Sequence, residues 1–127
     1  MTTTKCLRCG VLCRTGAPDP KARALVAATA TGLCPNCMIT RFLLSIEPIR
    51  DTIEGHAARG GIVPALEGKG PEIFLNAEWR EKVLRPVLRG VLSMTQLPED
   101  SINWIAVAGN WGLPFPRKHA PVEGGWW

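Results

Sequence analysis

Apolar residues fall at helical spacing in two stretches of the chain. Ile39, Phe42, Leu43, Ile46, Ile49 and Ile53 recur mostly at steps of three and four, with Arg41, Glu47, Arg50 and Glu54 between them. The spacing predicts an amphipathic helix of about four turns, kinked at Pro48 and ending near Gly55. Further on, Trp79, Val83, Leu84, Val87, Leu88, Val91 and Leu92 line one side of a second segment. Asn76 is its N-cap and Glu78 sits in its first turn. Glu78 with Lys82, and Glu81 with Arg85, are favourable pairs four residues apart. Pro86 and Gly90 interrupt the pattern and predict a bent or split helix. Between the helices, residues 55–72 carry five glycines at 55, 60, 61, 68 and 70, and two prolines at 64 and 71. Such composition reads as a long loop. Ile102 to Val107 reads as a short strand.

Composition adds limits. The chain has 127 residues, of which 46% are apolar, which excludes a disordered chain. No apolar run approaches the roughly 20 residues that a membrane-spanning helix needs. Met1 to Cys6 carries no apolar core of a secretory leader, so the expected location is the cytoplasm. In that setting the five cysteines read as metal ligands plus a spare thiol rather than as disulfides.

Two Cys-x2-Cys pairs supply the chemistry: Cys6-Leu7-Arg8-Cys9-Gly10, and Cys34-Pro35-Asn36-Cys37 directly before the first helix. Each pair aims two sulfurs at one point, and the intervening chain closes so that four sulfurs surround a tetrahedral ion. Gly10 accepts the backbone angles the tight turn demands. The pattern predicts structural Zn2+ on Cys6, Cys9, Cys34 and Cys37, with an iron–sulfur cluster as the alternative. Cys13 is either a small buried apolar residue, a replacement ligand, or a third member of a cluster motif. Over residues 5–45 the pattern resembles the broad treble-clef and zinc-ribbon class of four-cysteine domains. A second ligand pair running into a helix favours the treble clef within that class.

The resulting expectation is a small α+β protein. Its four-cysteine, treble-clef-like N-terminal unit is followed by two helices and an irregular Trp-rich C-terminal segment. The corresponding divisions are 1–55 for the zinc unit and following helix, 56–75 for a linker or loop, and 76–127 for a helix, short strand and extended tail.

No hydrolase elbow, phosphate-binding loop or dinucleotide fingerprint is present. Neither a small-molecule substrate nor a catalytic residue is evident; His56 and His119 read as surface histidines. The expected role is non-catalytic: a zinc-binding accessory or adaptor subunit that docks on a larger protein complex or on a second copy. Trp104, Trp111, Phe115, Trp126 and Trp127 are the expected partner-binding residues, because tryptophan favours interfaces. The alternative is a nucleic-acid-binding zinc protein. Its phosphate contacts, or contacts to an acidic partner, would be Lys5, Arg8, Arg14, Lys21, Arg23 and Arg41. Charge weakens that alternative. The formal net charge is +4, and four thiolates with one Zn2+ bring it to about +2.

Overall fold

A computed structural model describes residues 3–15, 26–29, 31–63, 70–97 and 99–117. Two short strands, β1 (Thr3–Lys5) and β2 (Leu12–Arg14), pair antiparallel, with Thr4 opposite Cys13 and Lys5 opposite Leu12. The tight turn between them contains the first cysteine pair. Gly10 lies there at φ 76°, in the region that the sequence assigns to it. A parallel bridge from Arg14 to Ala27 extends the hairpin.

The first helical segment is split rather than merely kinked. Helix α1 spans Pro35–Ser45 and α2 spans Glu47–Ala58, with Ile46 extended between them. Pro48 is the cause. It has no N–H to give, and in a continuous helix its ring would strike the Leu44 carbonyl. Breaking the chain at Ile46 puts Pro48 in the first turn of α2, where neither problem arises. Side chains take up carbonyls left at the end of α1: the Ser45 hydroxyl donates to Phe42 O at 2.6 Å, and Arg50 Nη1 reaches Leu44 O at 3.5 Å. The end of α2 corrects the expectation at Gly55. The helix runs on until Gly61 N–H closes on the His56 carbonyl at 2.8 Å and Gly60 N–H on the Ala57 carbonyl at 3.1 Å.

Strands β3 (Ile62–Val63) and β4 (Gly70–Pro71) form a second antiparallel pair. A 3₁₀ turn, Glu72–Leu75, follows and buries Ile73 and Phe74. Gly70, Pro71, Ile73 and Phe74 are thus buried, with Glu72 exposed between them. Gly70 is needed there because a Cβ would collide with the Ala108 carbonyl and the Gly109 nitrogen. Both are backbone atoms with nowhere to go. Gly70→Ala is expected to cost at least the roughly 1–3 kcal/mol typical of overpacking. A urea titration would measure it, and an unchanged midpoint would disprove the close approach.

Asn76 caps the next helix as expected, its Oδ1 accepting from Trp79 N at 2.9 Å. That helix comprises α3 (Ala77–Trp79), a π-helical stretch (Arg80–Leu84) and α4 (Arg85–Thr95). In the π stretch the Arg85 N–H bonds the Arg80 carbonyl, five residues back. Pro86 lies just beyond, so the ladder is already loosened where its N–H is missing. The extra residue also explains the apolar spacing. Trp79 and Leu84 are five apart, yet both face the core, after which Leu88 and Val91 resume steps of four and three. The pairs Glu78–Lys82 and Glu81–Arg85 form at 2.9 and 2.8 Å.

The strand expected at Ile102–Val107 is instead a helix, α5 (Trp104–Gly109). Asn103 decides this. Its Oδ1 accepts from Ile105 N at 3.0 Å and Ala106 N at 3.3 Å, satisfying two N–H groups that start a helix. Burial of the adjacent Val107 and Ala108 then fits a helical face better than alternation along a strand.

One main core joins α1, α2, the Ile73–Phe74 turn, α4 and α5. Phe74 lies at its centre. Its ring is 6.0 Å from Trp79, edge-on; 6.4 Å from Trp104, stacked; and 5.4 Å from Trp111. A second, smaller cluster holds Cys6, Cys13, Leu33, Cys34 and Cys37. Among the described residues, no helix is long and apolar enough to cross a membrane.

Candidate metal centre

The hairpin and α1 converge on four sulfurs. Cys6 and Cys9 come from the turn after β1. Cys34 is the N-cap of α1 and Cys37 lies in its first turn. Pro35 at the start of the helix has no N–H to leave unpaired and is set for helical φ. All four sulfur atoms lie within 4.8 Å of one another, and Cys9 Sγ is 3.7 Å from Cys34 Sγ. Tetrahedral zinc with sulfur at about 2.3 Å sets its ligand sulfurs about 3.8 Å apart. The cluster therefore fits one ion. A multi-iron cluster would place iron and sulfide between the sulfurs and spread them further.

The surroundings also suit thiolates. Backbone N–H groups point at the sulfurs: Arg8 N to Cys6 Sγ at 3.5 Å, Cys34 N to Cys6 Sγ at 3.3 Å, and Cys37 N to Cys34 Sγ at 3.4 Å. The last two come from the N-terminus of α1, where the helix dipole favours negative charge. The sulfurs are unequal. Hydrogen bonds from the Cys34 and Cys37 side chains hold the Cys6 thiol well below its usual range. The Cys34 thiol is pushed up by its hydrogen bonding to Cys37 and Cys6, and then by burial. Four sulfurs this close become thiolates together only around a cation. A bound Zn2+ would supply that charge and tie β1, β2 and α1 together. With four sulfurs filling a tetrahedron, no position remains for water or substrate, which suggests a structural rather than a catalytic role.

Cys13 is fully buried on β2, and its Sγ points to the Val11 carbonyl at 3.6 Å. Burial raises its pKa, with the nearby Cys6 and Cys9 charges adding to the effect. It packs beside the four sulfurs without being one of them, as a small apolar residue would.

Arg8 is placed quite differently from a phosphate contact. It is only 9% exposed. Its Nη1 donates to Cys37 Sγ at 3.5 Å. Its Nη2 faces three carbonyls just beyond α5: Asn110 at 2.5 Å, Trp111 at 2.9 Å and Leu113 at 3.0 Å. The guanidinium also lies 4.3 Å from the centre of the Phe115 ring. Arg41 is buried on α1 as well. Lys5 is exposed and Arg14 half-buried on the hairpin, while Lys21 and Arg23 lie outside the described residues.

The proposed partner-binding aromatics divide in the same way. Trp111 is buried against Phe74, and Trp104 packs on the same core. Phe115 rests on the cysteine cluster. All three make intramolecular packing contacts, with Trp111 buried and Trp104 and Phe115 half-buried. Trp126, Trp127 and His119 lie outside the described residues. His56 is half-buried on α2, and Asp51 pairs with Arg50 at 3.5 Å.

Sequence pattern missed two features. One is the exposed apolar tip of the hairpin: Leu7 at 48%, Val11 at 46% and Leu12 at 44%. Their positions beside the cysteine turn were the only available signal. The other is a groove of about 800 Å³ flanked by Val26, Met38, Arg41, Phe42 and Met94.

Taken together, a cysteine turn on a β-hairpin and a second pair opening a helix form a four-cysteine cluster. The arrangement is consistent with a treble-clef or zinc-ribbon-like zinc-binding motif within a small α+β fold. No protein-family model, no curated protein and no solved structure matches the chain.

Proposed function

We propose that this protein is a non-catalytic, zinc-stabilised accessory module that docks on a larger protein complex through the tip of its cysteine hairpin. The observation that carries this reading is the exposed apolar trio Leu7, Val11 and Leu12 on the segment that the metal would hold rigid. Rigid apolar side chains lose little entropy on binding and make effective anchors. Lys5 stands opposite Leu12 across the hairpin and is also exposed. The fitting partner surface is therefore apolar with an acidic margin. The burial of Arg8 and Arg41 supports this reading over nucleic-acid binding, which would draw on exposed cations.

Leu12→Asp tests it. The position is exposed, so stability should change by no more than about 0.5 kcal/mol. A photo-crosslinker at position 12 should capture a protein in native-host cells, and one at the exposed Glu54 on α2 should not. Leu12→Asp should lose that protein while retaining its metal. Undiminished association in the variant, or crosslinking from position 12 to nucleic acid alone, would refute the docking tip.

A further inference from the structure

Arg8 belongs to the cysteine turn, yet its carbonyl acceptors lie more than a hundred residues away, on the segment leaving α5. We propose that Arg8 couples the metal centre to residues 110–115. Metal loading holds this segment against the hairpin, and metal loss releases it. This inference rests on the metal-centre assignment and is independent of the docking tip.

The argument is electrostatic. A buried guanidinium is costly unless charges or dipoles face it. Here three carbonyls face it on one side and Cys37 Sγ on the other. The carbonyls lie beyond the C-terminal end of α5, where a cation is favoured. Four thiolates around one Zn2+ carry a net charge of about −2, which supplies the counter-charge on the sulfur side. Without that charge, the buried cation has only dipoles and the face of Phe115. Burial of Arg8, and with it the attachment of residues 110–115, is then disfavoured. By linkage, the attachment must strengthen metal binding by the same factor that metal binding strengthens the attachment. A second contact points the same way. Asn36, between the ligands Cys34 and Cys37, accepts from Asn103 N at 2.7 Å, so the start of α5 is also fastened beside the metal pair.

Arg8 is thus a positioning residue for the metal centre. Lysine cannot replace it, because a single ammonium does not span the sulfur and the carbonyls as the planar fork does. The test uses the full chain loaded with Zn2+ or Co2+. Arg8→Ala and Arg8→Lys should each weaken Zn2+ binding, measured by chelator competition, about tenfold. Backbone hydrogen exchange over residues 108–115 should rise by a similar factor, while α2 and α4 remain as protected as before. In the Co2+ form, losing the hydrogen bond to Cys37 should move the thiolate-to-metal charge-transfer band to lower energy. Chelating the wild-type protein should raise exchange over 108–115 in the same way, which keeps the test valid if the Arg8 variants do not fold. Unchanged exchange there after chelation would overturn the coupling. So would Arg8→Lys behaving as wild type. Failure of the metal assignment itself would be distinguishable, because the wild-type protein would then bind neither ion.

Discussion

Cys37→Ser will abolish tight Zn2+ binding and leave the hairpin and the first turn of α1 unfolded at 25 °C. Cys37 is fully buried, lies in the first turn of α1 and receives the Arg8 guanidinium. Serine keeps the size but not a sulfur ligand. The cluster around it has little else to hold it. Apart from the cysteines it contains Leu33, with Val26, Ala28 and Phe115 at its edge. Such a set cannot offset the ordering of two strands and a turn at roughly 1–2 kcal/mol per residue. Structural zinc in small modules supplies about 10–16 kcal/mol, as much as the roughly 5–15 kcal/mol that stabilises an ordinary domain. Metal analysis of the purified wild-type protein should find one Zn2+ per chain. Hydrogen exchange should show protection lost in β1, β2 and the start of α1, and retained in α2 and α4. Intact hairpin protection in a metal-free sample would overturn this, and iron with visible absorbance would replace zinc as the resident ion. Binding should also weaken as the pH falls, because protons compete with the metal for thiolate.

Phe74→Ala is the second large effect, expected to cost about 3–5 kcal/mol. Phe74 is fully buried, and Trp79, Trp104 and Trp111 all contact its ring. Removing it leaves a cavity that three stiff indoles cannot collapse to fill. It also removes aromatic contacts worth about 0.5–1.5 kcal/mol per pair. The loss is a large share of total stability. Tryptophan emission should move to longer wavelength and the urea midpoint should fall sharply. Phe74→Leu, closer in volume, should retain much more. If alanine and leucine behave alike, the ring is not the centre of the core.

How much of this was legible beforehand depended on whether a feature was local. Cys-x2-Cys turns, the Asn76 cap and the charge pairs of the second helix involve residues within a few positions of each other, and pattern alone finds them. The break at Ile46 followed from Pro48, although the spacing of isoleucines ran smoothly across it. The segment from Ile102 to Val107 misled because its β-branched residues suggest a strand, whereas Asn103 starts a helix just inside it. Fates of the tryptophans were not legible. Whether an indole meets a partner or the inside of its own fold depends on Phe74, thirty and more residues away in sequence from Trp104 and Trp111. Arg8 was the hardest case. Nothing near it in sequence distinguishes a surface arginine from one aimed at carbonyls more than a hundred residues further on.

That separation has a consequence for how the protein is made. A ribosome releases Arg8 about 100 residues before the carbonyls that receive it, a delay of about 5–20 s at ordinary elongation rates. The hairpin can gather its four cysteines once Cys37 has emerged. Until residues 110–115 have emerged, though, the Arg8 guanidinium remains in water and the cysteine cluster lacks the cover of Phe115. Between the emergence of Cys37 and that of residues 110–115, the nascent chain therefore carries a cysteine cluster that is complete in ligands but open on one side, and it is the later segment that closes it.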